Sequence, residues 1–154
     1  MTQNVIQQQL QRVFSSVILG YEGTQILFDF TVIECDQDLL QALINCAAGA
    51  LLNSKFQIKC VPTAITILLK KGGSEYAIDP TLEDITTMRQ TYSHKLFAVM
   101  DSQKQEFIFT SLTPLSWNQS KDDENTDTLD LEALQNVMGL SQSCGLKMHD
   151  FMVE

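Results

Sequence analysis

Three acidic side chains stand within six positions in the stretch Asp79-Pro-Thr-Leu-Glu-Asp84, directly after a short apolar run. Carboxylate oxygens are the hard ligands that Mg²⁺ takes, so Asp79, Glu83 and Asp84 could form a metal site. The structural alternative makes Asp79 a turn residue before Pro80, while Glu83 and Asp84 complement the N-terminus of a following helix or face water. The residue types favour the structural alternative, and the metal site stays open beside it.

His94 and the stretch Lys70-Lys71-Gly72-Gly73 are two further candidates for chemistry. A general base needs an orienting partner and a nucleophile within reach. Between Ser93 and Lys95 in a strand pattern, His94 is predicted to be an exposed polar residue instead. The glycine pair lacks the G-x-x-x-x-G-K-[ST] spacing of a phosphate-binding loop, so a solvated hairpin turn is the prediction for this stretch.

The cysteines predict neither a zinc site nor a reactive thiol. They show no C-x-x-C spacing, Cys144 and His149 are the only cysteine and histidine near each other in sequence, and none of the thiols has a marked electropositive neighbourhood. We expect reduced thiols that pack in the core of a cytosolic or nuclear protein. The four are Cys35, Cys46, Cys60 and Cys144. No catalytic, metal-binding or cofactor-binding residue is therefore predicted, and no cofactor is expected.

Composition and charge narrow the class of protein. The chain has 154 residues, of which 44% are hydrophobic and 19% charged, and these values predict one soluble globular domain. A net charge of −9 argues against a protein that grips nucleic acid by itself, although it allows a weak contact inside a larger assembly. The longest apolar stretch is too short to span a bilayer, and no secretory leader is visible, so no membrane association is expected.

Hydrophobic periodicity predicts the elements that must position these residues. Apolar residues at helical spacing predict an amphipathic helix over Val5–Ile18, and alternation predicts a strand over Thr24–Glu34. Asp36 and Asp38 then start an apolar helix over Leu39–Leu51, which we expect to form the core. The remaining predicted elements are strands over Cys60–Leu69, Glu75–Ile78, Tyr92–Met100 and Glu106–Leu112, and a C-terminal helix over residues 129–153 that Gly139 and Gly145 weaken. The order α-β-α-β-β-β-β-α favours an α+β fold in a single domain of residues 1–154.

One acidic loop interrupts this pattern at about residues 116–128. The run Asp122–Asp130 is typical of a solvated loop, and it could also repel nucleic acid or meet a basic partner. Trp117, the only tryptophan, stands at the start of the loop. It could stack on a base or a partner surface, or it could cover the edge of the core.

The order and spacing of five segments carry a family resemblance across nearly the whole chain. They are Val32-Ile-Glu-Cys-Asp36, Leu39-Leu-Gln-Ala-Leu-Ile-Asn-Cys-Ala-Ala48, Val61–Leu69, Ile78-Asp-Pro-Thr-Leu-Glu83 and Lys95-Leu-Phe-Ala-Val-Met-Asp101. Together they resemble the RNase PH-like subunits of the RNA exosome. The resemblance implies an RNase PH-like, ribosomal protein S5 domain 2-like two-layer α/β sandwich. It covers the later part of a usual member, so we expect an N-terminally shortened domain that lacks the first strands and a phosphate-contacting arginine.

The resemblance also bears on catalysis. Active phosphorolytic members resemble Asp-Leu-x-Tyr-x-Glu-Asp at the turn, and here Asp79 matches the first acid. Pro80 and Leu82 depart from that pattern, and Asp84 falls one residue short of the second metal-binding acid. Ser111-Leu-Thr-Pro-Leu115 stands where the glycine-rich phosphate stretch would be. The Asp-Pro-Thr form is similar to ring subunits that have lost catalysis.

The resemblance therefore implies a non-catalytic structural subunit of the exosome core ring, which supports 3′-to-5′ RNA processing and degradation, rRNA included. The expected partners are other RNase PH-like subunits, cap subunits and RNA held by the assembled ring, and any RNA contact of its own would come from Lys70 or Lys71. The expected location is the nucleus, nucleolus and cytoplasm. Two alternatives remain: a phosphate-dependent 3′-exoribonuclease, and a self-associating interaction module outside the exosome.

Overall fold

The structure is a computed structural model. It describes residues 3–20, 23, 25–36, 38–54, 56–70, 75–87, 91–115 and 130–153. Its elements, in chain order, are α1 (Gln3–Val17), α2 (Leu39–Leu52), β1 (Pro62–Lys70), β2 (Tyr76–Ile78), α3 (Leu82–Thr87), β3 (Tyr92–Asp101), β4 (Glu106–Pro114) and α4 (Leu131–Val153). The α+β class predicted from the sequence is confirmed.

The strands form one antiparallel sheet in the order β2-β1-β3-β4. The predicted hairpin between β1 and β2 is present, with Leu69 opposite Tyr76. A second hairpin joins β3 to β4 through a polar turn, in which the Asp101 carboxylate accepts hydrogen bonds from the backbone N–H groups of Gln103 and Lys104 at 3.1 and 3.2 Å. The four strands after α2 therefore follow the predicted pattern.

Helices cover both faces of this sheet. On one face Ala64, Phe97 and Val99 pack in a buried cluster with α1 and α2, and on the other a buried cluster joins the sheet to Val137 of α4. The resemblance implied a sandwich of two layers, and α4 adds a layer on the second face. The reason lies in β1, where both alternating sets of side chains are mostly apolar, so each face of the strand must be buried.

The predicted core helix is confirmed in α2. Asp38 caps it, because one oxygen of its carboxylate accepts a hydrogen bond from the Leu40 N–H at 3.1 Å. Ile44, Ala47 and Ala48 are almost fully buried. The Asn45 amide faces β1, and there it donates to the Ala64 carbonyl and accepts from the Ala64 N–H, at 3.0 and 2.8 Å. This double hydrogen bond fixes the helix against the backbone of the strand.

The C-terminal helix is continuous through both of its glycines, which the sequence predicted to weaken it. Gly145 lies so close to the sheet that a Cβ atom there would stand 1.9 Å from the terminal methyl carbon of Met100, whereas the position of Gly139 is open. Gly145 thus permits close packing of α4 on β3. Among the described residues no helix is long and apolar enough to cross a membrane.

The strand predicted over Thr24–Glu34 is not formed: its described residues, from position 25, have no regular structure. The alternation is nevertheless present as burial, since Ile26, Phe28 and Phe30 are half-buried and the residues between them are exposed. Phe28 stacks on Phe14 of α1 at a ring distance of 5.0 Å. The segment therefore lies over a helix, where no neighbouring strand supplies hydrogen bonds, and the prediction was wrong for that reason.

Candidate functional site

Asp79 is held in the turn after β2 by two other elements. Its backbone N–H donates to the Thr66 carbonyl of β1 at 2.9 Å, and its carboxylate accepts a hydrogen bond of 2.7 Å from the Gln41 amide of α2. Its φ is 53°, in the left-handed region that aspartate tolerates better than most residues. Asp79 is thus the turn residue that the structural alternative predicted, and it also joins the helix to the sheet.

Asp84 takes part in a capping box at the start of α3. Its carboxylate accepts hydrogen bonds from the Thr81 N–H and hydroxyl at 3.0 and 2.8 Å, and the Thr81 hydroxyl oxygen accepts from the Asp84 N–H at 3.1 Å. The bonds from Thr81 lower the pKa of the Asp84 carboxyl. The structural alternative is therefore correct for Asp84, and Glu83 lies exposed in the same first turn.

The two aspartates are engaged with different partners. Asp79 is oriented by Gln41, and Asp84 by the hydroxyl and N–H of Thr81. Within the described ranges no group of three or more histidine, cysteine and acidic residues is placed to hold a metal ion. The turn can thus orient one exposed carboxylate beside an amide.

Gln41 is the residue of this site that the sequence did not single out. It is only 1% exposed, and within the described part of the chain its Oε1 atom and the Thr66 hydroxyl have no hydrogen-bond partner. Buried polar atoms of this kind are costly unless something satisfies them. The signal in the sequence is a single glutamine in the otherwise apolar start of α2, Leu39-Leu-Gln-Ala-Leu.

Sequence reasoning also did not predict a contact between Lys95 of β3 and Asp38. The Lys95 ammonium forms an ion pair with the Asp38 carboxylate, whose other oxygen caps α2. The two side chains are only 27% and 11% exposed, so water screens this pair less than one at the surface. Asp38 thereby joins the N-terminus of α2 to the sheet.

His94 is half-buried, where the sequence predicted an exposed side chain. Its Nδ1 atom lies 3.0 Å from the Ser93 hydroxyl. That hydroxyl is buried and donates to the Leu69 carbonyl at 3.4 Å, so it is not presented to a substrate. His94 and Ser93 thus have the side-chain groups of a base and a nucleophile, but here the two groups serve the packing of β3.

The remaining candidates from the sequence belong to other parts of the chain. The Lys70 ammonium pairs with the Glu75 carboxylate at 2.8 Å, and this contact raises the pKa of Lys70. Lys71, the glycines after it, Trp117 and the loop predicted at about residues 116–128 lie outside the described residues. The cysteines are free thiols, as expected, but the expected core packing holds only for Cys60 and Cys144, which pack against the buried clusters, whereas Cys46 is exposed. Burial raises the pKa of Cys60, which makes that thiol less reactive.

Comparison with known proteins identifies structures that have a similar fold. No protein-family model and no curated protein sequence matches the chain. The crystal structure of rice (Oryza sativa) Rrp46 matches with a TM-score of 0.69 and 16% sequence identity, covering 99% of this chain and 65% of that one. An archaeal exosome core structure matches with a TM-score of 0.62 and 15% identity, covering 98% of this chain and 63% of that one.

The chain has the RNase PH-like fold of exosome subunits. The fold that the resemblance implied is thereby confirmed. The chain spans less than two thirds of the length of these two solved chains, 65% and 63% respectively. The turn at Asp79 and the helix α2 that holds it both lie inside the shared fold.

Proposed function

We propose that this protein is a subunit of the exosome core ring that contributes by assembly and does not catalyse RNA cleavage. The observation that carries the proposal is the likeness to rice Rrp46 and to the archaeal exosome core over 99% and 98% of the chain. Its partners are other RNase PH-like subunits and cap subunits. Through them it supports RNA processing and degradation, including that of rRNA, in the nucleus, nucleolus and cytoplasm.

The hydrogen bonds of Asp79 and Asp84 support the proposal that the subunit does not catalyse RNA cleavage. A metal-dependent phosphorolytic site needs carboxylates that converge on one ion. Here the Asp84 carboxylate serves a helix cap, and the Asp79 carboxylate is oriented by Gln41. Each contact orients its carboxylate toward a group of the fold, Gln41 of α2 or the start of α3.

Charge supports an indirect role in RNA handling. The net charge is −9, and Lys70 is compensated by Glu75. Phosphate neutralisation needs clustered cations, so the ring as a whole and not this subunit alone would hold the RNA. The expected consequence is weak RNA binding by the isolated chain.

Native purification of the tagged chain from its own cells tests the assembly role. Stoichiometric recovery of RNase PH-like and cap subunits, and recovery of this chain with a tagged ring subunit in the reciprocal experiment, is the expected result. Purification free of ring subunits in both directions would overturn the proposal. Imaging of the tagged chain, scored against a tagged ring subunit, tests the location.

An assay with single-stranded RNA, phosphate and Mg²⁺ tests the absence of catalysis. We expect no release of nucleoside diphosphates by the chain. Phosphate-dependent release that is lost on Asp79→Asn, a substitution that preserves the shape of the side chain, would establish the exoribonuclease instead.

A further inference from the structure

Residues 25–33 form a segment with the side-chain geometry of a strand but without a strand beside it. Phe28 and Phe30 point to the same side, with nearly parallel rings 6.1 Å apart, as residues two positions apart do in a strand. Leu27 points away and is 84% exposed, and Ile33, at the bend that ends the segment, is 95% exposed. Among the described residues no strand pairs with the segment. Within the described part of the chain its backbone takes part in no ladder, so it can pair with a partner strand.

A groove of about 1270 Å³ runs along this segment. Apolar side chains of α1, such as Ile6 and Leu10, form part of its wall, and glutamines of the same helix line it with them. This wall holds the inward side chains of the segment, so a partner strand would cover Leu27 and its exposed neighbours instead.

We propose that segment 25–33 pairs in antiparallel fashion with the same segment of a second copy of this chain. Edge strands with unpaired backbone groups associate in this way. The proposal concerns the isolated chain and does not depend on assembly into a ring.

The side chains of the segment are complementary to themselves in one register. With Phe30 at the two-fold axis, Leu27 lies opposite Ile33 of the partner subunit, and Asp29 lies opposite Thr31 of the partner subunit. The two exposed apolar side chains thus cover each other, twice by symmetry. Burial of these apolar side chains against each other stabilises the pairing.

Other registers place the Asp29 carboxylate less favourably. A two-fold axis at Asp29 would set the two Asp29 carboxylates against each other, and an axis at Phe28 would set Leu27 against a carboxylate. Asp29 is the only charged residue between positions 25 and 33, so pairing removes few charges from water. The net charge of −9 makes the two copies repel, so the dimer should tighten as salt rises.

Sedimentation equilibrium of the purified chain tests the proposal, with circular dichroism to show that each variant is folded. We expect a monomer–dimer equilibrium, and Leu27→Lys should raise the dissociation constant about tenfold or more, since two apolar pairs are lost. The matched control is Phe151→Lys, at a residue of α4 that is 79% exposed, and it should leave the constant unchanged. A chain that stays monomeric at high concentration overturns the proposal, and so does a dimer that Phe151→Lys weakens as much as Leu27→Lys does.

A second pair of variants tests the register. Thr31→Lys places an ammonium opposite Asp29 of the partner subunit and should tighten the dimer, whereas Thr31→Glu should weaken it. The gain from lysine should shrink as salt rises. Equal effects of the two substitutions would overturn pairing in this register.

Discussion

The Gln41 amide donates a hydrogen bond of 2.7 Å to the Asp79 carboxylate, and it connects two residues that are 38 positions apart in the sequence. Through this bond the core helix α2 holds the turn that follows β2. The acidic turn therefore connects α2 to the sheet, and the contribution of Asp79 to stability can be measured.

Substitution of Asp79 should separate its hydrogen bond from its charge. Asp79→Asn keeps an acceptor for Gln41 and a residue that tolerates φ of 53°, so little change in stability is expected. Asp79→Ala loses the acceptor and strains the left-handed backbone, which should lower the free energy of unfolding by about 2 kcal/mol. Urea denaturation measures both. Equal losses for the two variants would contradict the role given to the hydrogen bond.

Removal of the Thr81 hydroxyl should destabilise the start of α3 and change the response to acid. Thr81→Ala should cost about 1 kcal/mol, the usual value for a lost helix cap. Thr86→Ala is the matched control, because the Thr86 hydroxyl donates only to the Glu83 carbonyl on an exposed surface.

The pH dependence follows from the lowered pKa of Asp84. The folded chain binds a proton at Asp84 less readily than the unfolded chain does, so this contribution is complete above the ordinary aspartate pKa of about 4. It is lost as the pH falls through the lowered pKa. Thr81→Ala should therefore flatten the decline of stability on the acid side, as measured by denaturation at several pH values. An unchanged acid slope would contradict this assignment.

The two glycines of α4 should respond to alanine with opposite signs. At Gly139 a Cβ meets nothing within 4 Å, so Gly139→Ala should stabilise the helix by about 0.5–1 kcal/mol. At Gly145 a Cβ would displace the end of Met100, which is fully buried, and Gly145→Ala should cost about 1–2 kcal/mol. Thermal unfolding of both variants decides this. Stabilisation by both would mean that α4 packs less closely on β3.

Asp38 caps α2 and pairs with Lys95, and substitutions can separate these two contributions. Asp38→Ser keeps an oxygen that can cap α2 but leaves Lys95 without its carboxylate, and we expect a loss of about 1 kcal/mol. Asp38→Ala removes the cap as well and should cost about 1 kcal/mol more. Lys95→Met controls for the ion pair, since it keeps the apolar stem and removes the charge. If Ser and Ala cost the same, the carboxylate does not act as a cap.

Most helices and strands could be predicted because their signal is local. The periodicity of Leu39–Leu51 matches α2, and the alternation in Glu106–Leu112 matches β4. Asp38 could be named as a cap from its place before an apolar run. The short helix α3 was anticipated only as a possible partner for Glu83 and Asp84, since six residues carry too little periodicity to predict one.

Local sequence patterns were sufficient for the class of the fold and for the core helix, and they favoured a structural role for Asp84, because each depends on neighbours a few positions away. Contacts between distant segments were needed to establish that helices cover both faces of the sheet, that Gln41 holds Asp79 and that Lys95 pairs with Asp38. The same holds for segment 25–33, which lies over α1 with no strand of the described residues beside it. Alternation reports which side chains face the core, whereas strand formation requires hydrogen bonds from a distant segment, and no local pattern specifies that partner.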